Sequence, residues 1–150
     1  MKTRPRQLAL AAVVALLAII VASCDETPNS QRSQVVSLIN KERSRAGSGQ
    51  LRPATDLNNK AGSWAAKMRD ECKLSHSTLS DGVTMKWKSL GENVAYASSL
   101  TTTHSSLMNS PRHKANILKS GYNRVGVGVA AGKCGGYDVV YVAQVFAETR

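Results

Sequence analysis

Apolar side chains recur along this chain with a helical period up to Gly121 and with a period of two after it. In residues 33–46, Val35, Val36, Leu38 and Ile39 fall at helical spacing, Lys41, Arg43 and Arg45 occupy other faces, and Gly47 ends the run. A second helix is predicted with Asp56 as its N-cap, because Leu57, Ala61, Trp64, Ala65, Met68 and Cys72 follow at intervals of three and four. That stripe reads as core, Trp64 included. Residues 101–109 form a short helix candidate. Helical structure restarts at Ser110-Pro111, with Ser110 as N-cap and Pro111 in the first turn, so that His113 and Ile117 share a face.

Beyond Gly121, Val125, Val127 and Val129 alternate with Gly126 and Gly128, residues 133–136 make a turn, and residues 139–146 alternate again around Tyr141. This is an antiparallel hairpin. Residues 73–91 lack a sustained period and contain Asp81-Gly82, which predicts a long loop of the kind that usually serves function in a compact domain. Helices feeding a terminal hairpin give an α+β layered domain without internal repeats.

The N-terminus has a different character. Lys2, Arg4 and Arg6 precede residues 8–22, an uninterrupted apolar run, and small residues follow directly, which is the pattern of an export signal. The run has 15 residues, fewer than the roughly 20 that cross a bilayer, so a permanent membrane helix is the weaker alternative. Val21-Ala22-Ser23-Cys24 resembles a bacterial lipobox, in which the cysteine becomes the lipid-bearing first residue; ordinary cleavage after Ser23 is the alternative. Two-chain lipidation of Cys24 would hold the protein on a membrane. The expected organisation is therefore a lipoprotein-type signal over residues 1–23, a polar tether over 24–34 and one domain over 35–148. Cleavage leaves 127 residues, enough for a single domain.

Removing the three signal cations lowers the formal charge from +10 to +7, spread over Arg43, Arg45, Lys86, Lys88, Arg112 and Lys114 among others. Anionic lipid or wall polymers suit such a surface, whereas no recognised nucleic-acid motif accompanies the charge. With Cys24 lipidated, Cys72 and Cys134 remain as a pair in an oxidising compartment, readable as a disulfide or as two free thiols.

Three residues able to bind metal or move protons stand out: His76, Glu92 and His113. Two imidazoles and a carboxylate make a possible zinc set. Their separations of 16 and 21 residues match no local metal motif. The competing reading makes both histidines hydrogen-bonded structural groups and Glu92 a turn cap. His104, between Thr103 and Ser105, reads as surface.

Several motifs together resemble the CAP superfamily of cysteine-rich secretory and pathogenesis-related proteins, in its bacterial branch. Val36-Ser37-Leu38-Ile39-Asn40-Lys41-Glu42-Arg43 is similar to its opening helix, and Leu74-Ser75-His76-Ser77 and Gly91-Glu92-Asn93-Val94-Ala95 to its central motifs. Ser110-Pro111-Arg112-His113-Lys114-Ala115-Asn116-Ile117-Leu118 resembles the bacterial members' most distinctive stretch, and Tyr141-Val142-Ala143-Gln144-Val145-Phe146 the last strand. The resemblance implies an α-β-α layered fold, three to four helices on a small antiparallel sheet. It also implies a surface cleft where two histidines and two acidic residues can hold a divalent metal.

His76 and Glu92 match the first histidine and first glutamate. Ser110 stands at the second acidic position, Tyr141 at the second histidine position and Leu107 where a tryptophan is usual; His113 is expected to substitute from the next helical turn. The expected cleft is lined by His76, Glu92, Ser110, His113, Tyr141 and Gln144, with Zn²⁺ or another divalent metal on His76, Glu92 and His113. The leading expectation is a monomeric cell-surface binding domain for a small molecule, lipid or wall component, without nucleic acid. The alternatives are a metal-dependent hydrolase acting on peptides or wall components with Glu92 as general base, and a scaffold with a vestigial cleft.

Overall fold

A computed structural model describes residues 27–149; the signal segment, Cys24 and the start of the tether lie outside the described residues. The elements in order are α1 (Pro28–Arg45), β1 (Arg52–Pro53), α2 (Thr55–Asp70), β2 (Trp87–Ala97), α3 (Leu100–Asn109), α4 (Pro111–Leu118), β3 (Arg124–Cys134) and β4 (Tyr137–Thr149). The strands form one sheet ordered β1-β3-β4-β2. This is the α-β-α layering expected, with four helices.

The hairpin is as the alternation predicts: Cys134 pairs with Tyr137 across a two-residue turn. Gly135 and Gly136 both have positive φ, 58° and 86°, which glycine adopts without penalty. The disulfide forms between Cys72 and Cys134, whose Cα atoms are 5.5 Å apart, and joins the end of α2 to the end of β3. Two apolar clusters sandwich the sheet. On one face α1, α3 and α4 contribute Val35, Ile39, Leu107 and Ile117 against Val125, Val127, Val142 and Phe146. On the other, Leu57, Ala61, Ala65 and Met68 of α2 pack on Val94, Ala143, Val145 and Ala147.

The glycines of β3 set how closely α2 lies on the sheet. A Cβ on Gly126 would fall 2.1 Å from the Leu57 carbonyl carbon, and one on Gly128 2.0 Å from the Ala61 carbonyl oxygen, both backbone atoms that cannot step aside. The alternating valines fill the opposite face.

Five sequence expectations change. Helix α1 starts at Pro28, with the Thr27 hydroxyl accepting from the Ser30 N–H, so much of the expected tether is helical. The sheet is mixed, because two-residue β1 runs parallel to β3. Residues 87–91, expected as loop, begin strand β2; burial of Glu92 and Asn93 erases the apolar alternation that marks a strand. Asp56 is no N-cap: Ala54 holds that position. Asp56 instead accepts from the N–H groups of Thr84 (2.9 Å) and Met85 (3.1 Å), pinning the far end of the long loop to α2.

The fifth change concerns two polar residues assigned to the surface. Arg43 is fully buried and His104 nearly so. Each continues a core stripe: Val35, Ile39 and Arg43 recur every four residues, and Leu100, Thr103, His104 and Leu107 form the buried face of α3.

Two predictions follow from this packing. Gly128→Ala should destabilise the domain by about 3 kcal/mol through overpacking, measured by denaturant unfolding. His104 buries both ring nitrogens without a hydrogen-bond partner among the described residues. Burial lowers its pKa below the ordinary 6.5, opposed by the Glu42 carboxylate. The unfolded chain therefore binds the proton more readily, and stability should fall as pH drops through 6.5. Thermal melts between pH 8 and 5 should show this loss, and His104→Gln should flatten it.

Candidate functional site

Strand β2 is the sheet's edge, paired only with β4. Its outer side is covered by the long loop on one hand and by α4 on the other, and the candidate site lies where the two meet it.

Glu92 is the centre of the loop contact. Its side chain is 1% exposed, against 62% for that of His76. Oε1 lies 2.8 Å from His76 Nδ1 and accepts from the Ser77 backbone N–H at 2.9 Å, and Oε2 accepts from the Ser77 hydroxyl. Because a carboxylate only accepts, His76 meets Oε1 with an N–H on Nδ1. A buried carboxylate thus orients an exposed imidazole.

The α4 contact runs through two asparagines. Asn93, fully buried, donates from Nδ2 to the His113 carbonyl (3.0 Å) and to Gln144 Oε1 (3.2 Å). Asn116 donates from Nδ2 to Asn93 Oδ1 (3.0 Å) and to the Glu92 carbonyl (3.2 Å), which caps part of the strand edge. Gly91 lets this contact close: a Cβ there would sit 2.3 Å from the Tyr122 hydroxyl. Between loop and helix opens a hollow of about 330 Å³, walled by His76, Ser77, Leu79, Gly91, Glu92 and Asn116.

His113 approaches from α4. Burial lowers its pKa, and the neighbouring His76 lowers it further by charge repulsion, so the two imidazoles share one electrostatic environment. The other expected lining residues lie elsewhere. Ser110 heads α4 but its side chain makes no capping bond. Tyr141 pairs with Tyr96, whereas Glu92 pairs with Val145. The Tyr141 ring is buried 5.2 Å from that of Tyr96, and burial raises its pKa. Gln144 is sealed beneath α4 and touches the site through Asn93.

Among the described residues, no three His, Cys, Asp or Glu side chains are placed to hold a metal ion. Both Glu92 oxygens already accept hydrogen bonds, so the carboxylate fits the role of supporting His76 and not that of a third ligand. Ser77, Asn93 and Asn116 lie within the motifs, where a motif serine reads from the sequence as a cap or turn former and the asparagines carry no assigned role. Their tasks are contacts across the fold, which spacing along the chain does not show.

The sequence model of the cysteine-rich secretory protein family matches residues 36–146. The chain belongs to that family. Among solved structures it is similar to an extracellular protein with an SCP domain from Bacillus anthracis, at 26% identity and TM-score 0.68, covering 81% of this chain and 41% of that one. A cysteine-rich secretory protein from Staphylococcus aureus matches at 22% identity and TM-score 0.66, covering 83% and 40% of the two chains. The outer surface protein of Borrelia burgdorferi matches at 17% identity and TM-score 0.65, covering 83% and 96%. This chain thus spans about two fifths of the first two proteins. No curated protein sequence matches it.

Proposed function

We propose that this CAP domain is an exported binding module, held at the cell surface through lipidated Cys24 and taking a small molecule, lipid or wall-derived ligand between the His76 loop and α4. The observation that carries the reading is the pairing of buried Glu92 with exposed His76, which spends a desolvated carboxylate on aiming one imidazole into an open hollow. Burial of a carboxylate is costly unless its oxygens are satisfied, and here three donors satisfy them. The basic leader ahead of residues 8–22 supports export, and the Bacillus and Borrelia relatives are named as extracellular and outer-surface proteins.

The test uses the chain carrying Cys24→Ser, so that no lipid contributes, in sedimentation with isolated wall polymer and with phosphatidylglycerol vesicles. At least one should pellet the protein, and His76→Ala should weaken that association about tenfold. Equal pelleting of both variants overturns the cleft as the binding site.

A divalent metal is the second reading, favoured by His113 of α4 lying within electrostatic reach of His76. His76 Nε2 and the His113 ring would hold the ion and Glu92 would orient His76 from behind, an arrangement in which carboxylate support typically contributes about 10–100-fold in affinity. A bound ion would supply Lewis acidity. In Zn²⁺ calorimetry, His76→Ala should abolish the heat and Glu92→Gln weaken binding at least tenfold; isotherms matching wild type remove this reading.

A further inference from the structure

The His76 loop has a second side. Facing α2, it encloses a separate hollow of about 530 Å³, larger than the cleft against α4. The loop is held off the helix by polar posts. The Trp64 indole N–H donates to the Ser75 carbonyl at 2.7 Å, the Lys60 ammonium donates to the Thr78 carbonyl at 2.6 Å, and Asp56 holds residues 84 and 85. These bonds fix the loop's distance from α2, so the space between is part of the fold. Trp64, read from the sequence as core, is only half-buried and lines this space.

The chemistry of the walls is specific. The indole shares these walls with short hydrogen-bonding side chains, Asn59, Ser63, Ser77, Thr78 and Asp81. An aromatic face ringed by amide, hydroxyl and carboxylate groups suits a sugar ring, whose C–H face lies on the indole while its hydroxyls meet the rim. Two lysines add charge. Lys60 pairs with no carboxylate among the described residues, and its ammonium keeps protons beyond the one given to Thr78. The Lys67 ammonium lies 5.5 Å from the indole centroid and pairs with Glu71 on the exposed surface, a pair that a ligand carboxylate can replace at little cost.

We propose that this hollow binds an acidic saccharide, with Trp64 as the stacking platform and Lys60 and Lys67 receiving the sugar's carboxylate. The site does not depend on the hollow between the loop and α4, although His76 and Ser77 form the wall between the two. A ligand in one is therefore felt by the loop that shapes the other.

The test titrates the Cys24→Ser chain with tetragalacturonate and with the neutral maltotetraose, following tryptophan fluorescence. The chain has two tryptophans, so Trp87→Phe isolates the Trp64 signal. The acidic oligomer should change that signal and bind at least tenfold more tightly than the neutral one. Lys60→Gln with Lys67→Gln should remove that preference, and Trp64→Phe, which keeps a packing ring, should weaken both oligomers. His113→Ala should leave binding unchanged. The proposal is overturned by binding of neither oligomer, by equal affinity for the two, or by a preference that survives loss of both lysines. Loss of binding in His113→Ala with retention in the lysine variants would place the ligand in the other cleft and overturn it as well.

Discussion

The guanidinium of Arg43 holds the helical layer together. It is fully buried without a carboxylate, and donates instead to four carbonyls: Gly49 (2.6 Å), Ile117 and Lys119 (both 2.8 Å) and Tyr122 (3.1 Å). An unpaired buried charge would be prohibitive, but hydrogen bonds involving a charged group contribute about 1.5–3 kcal/mol each, and here the planar fork meets acceptors on several sides. Ile117 and Lys119 lie at the C-terminal end of α4, where helix carbonyls lack partners and carry partial negative charge. One side chain from α1 thus terminates α4 and fixes its position. Since α4 carries His113 and Asn116, the cleft depends on this interaction although Arg43 does not line it.

The second constraint is the edge of the sheet. An edge strand leaves a row of backbone groups unpaired, and proteins usually cover or blunt such rows. Here β2 is covered from both sides by polar side chains. Glu92 reaches the loop through His76 and Ser77, and Asn93 reaches α4 through the His113 carbonyl and Asn116. Adjacent residues of a strand point to opposite faces, so the pair Glu92-Asn93 serves both layers at once. The loop that results is long but not loose, because Asp56, Lys60 and Trp64 of α2 fasten it and the disulfide at Cys72 anchors its start. A loop closed over 62 residues by that bond stabilises the fold by about 4 kcal/mol in the chain-entropy picture.

Much of this architecture was legible in the residues. Helical stripes located α2, α3 and α4, and the valine-glycine alternation located the hairpin. The motif order pointed to the family that the match over residues 36–146 shows. Much of what escaped shares one cause: polar residues in buried positions. Arg43 sits at core spacing, since Val35, Ile39 and Arg43 recur every fourth residue, but its charge reads as another face; His104 reads as surface from its neighbours Thr103 and Ser105, yet it lies on the buried face of α3. Strand β2 was missed because Glu92 and Asn93, buried for the site, replace the apolar residues that would have announced it. Asp56 looked like a helix cap because its residue type and position suit one; its partners, 28 and 29 residues away, are visible only in the folded chain.

The same accounting bears on what Glu92 can do. A carboxylate that serves as general base needs an oxygen facing the water it activates and a place to hold the proton it takes. The Glu92 side chain is 1% exposed, with His76 and Ser77 bonded to its two oxygens. The two oxygens carry different loads: Oε1 meets His76 and the Ser77 N–H, and Oε2 meets the Ser77 hydroxyl. Orientation of His76 therefore rests on Oε1. Ser110 carries no carboxylate, and Tyr141 stands at the rung of Tyr96. The exposed group at this edge is the His76 imidazole, and the buried group that sets it is Glu92.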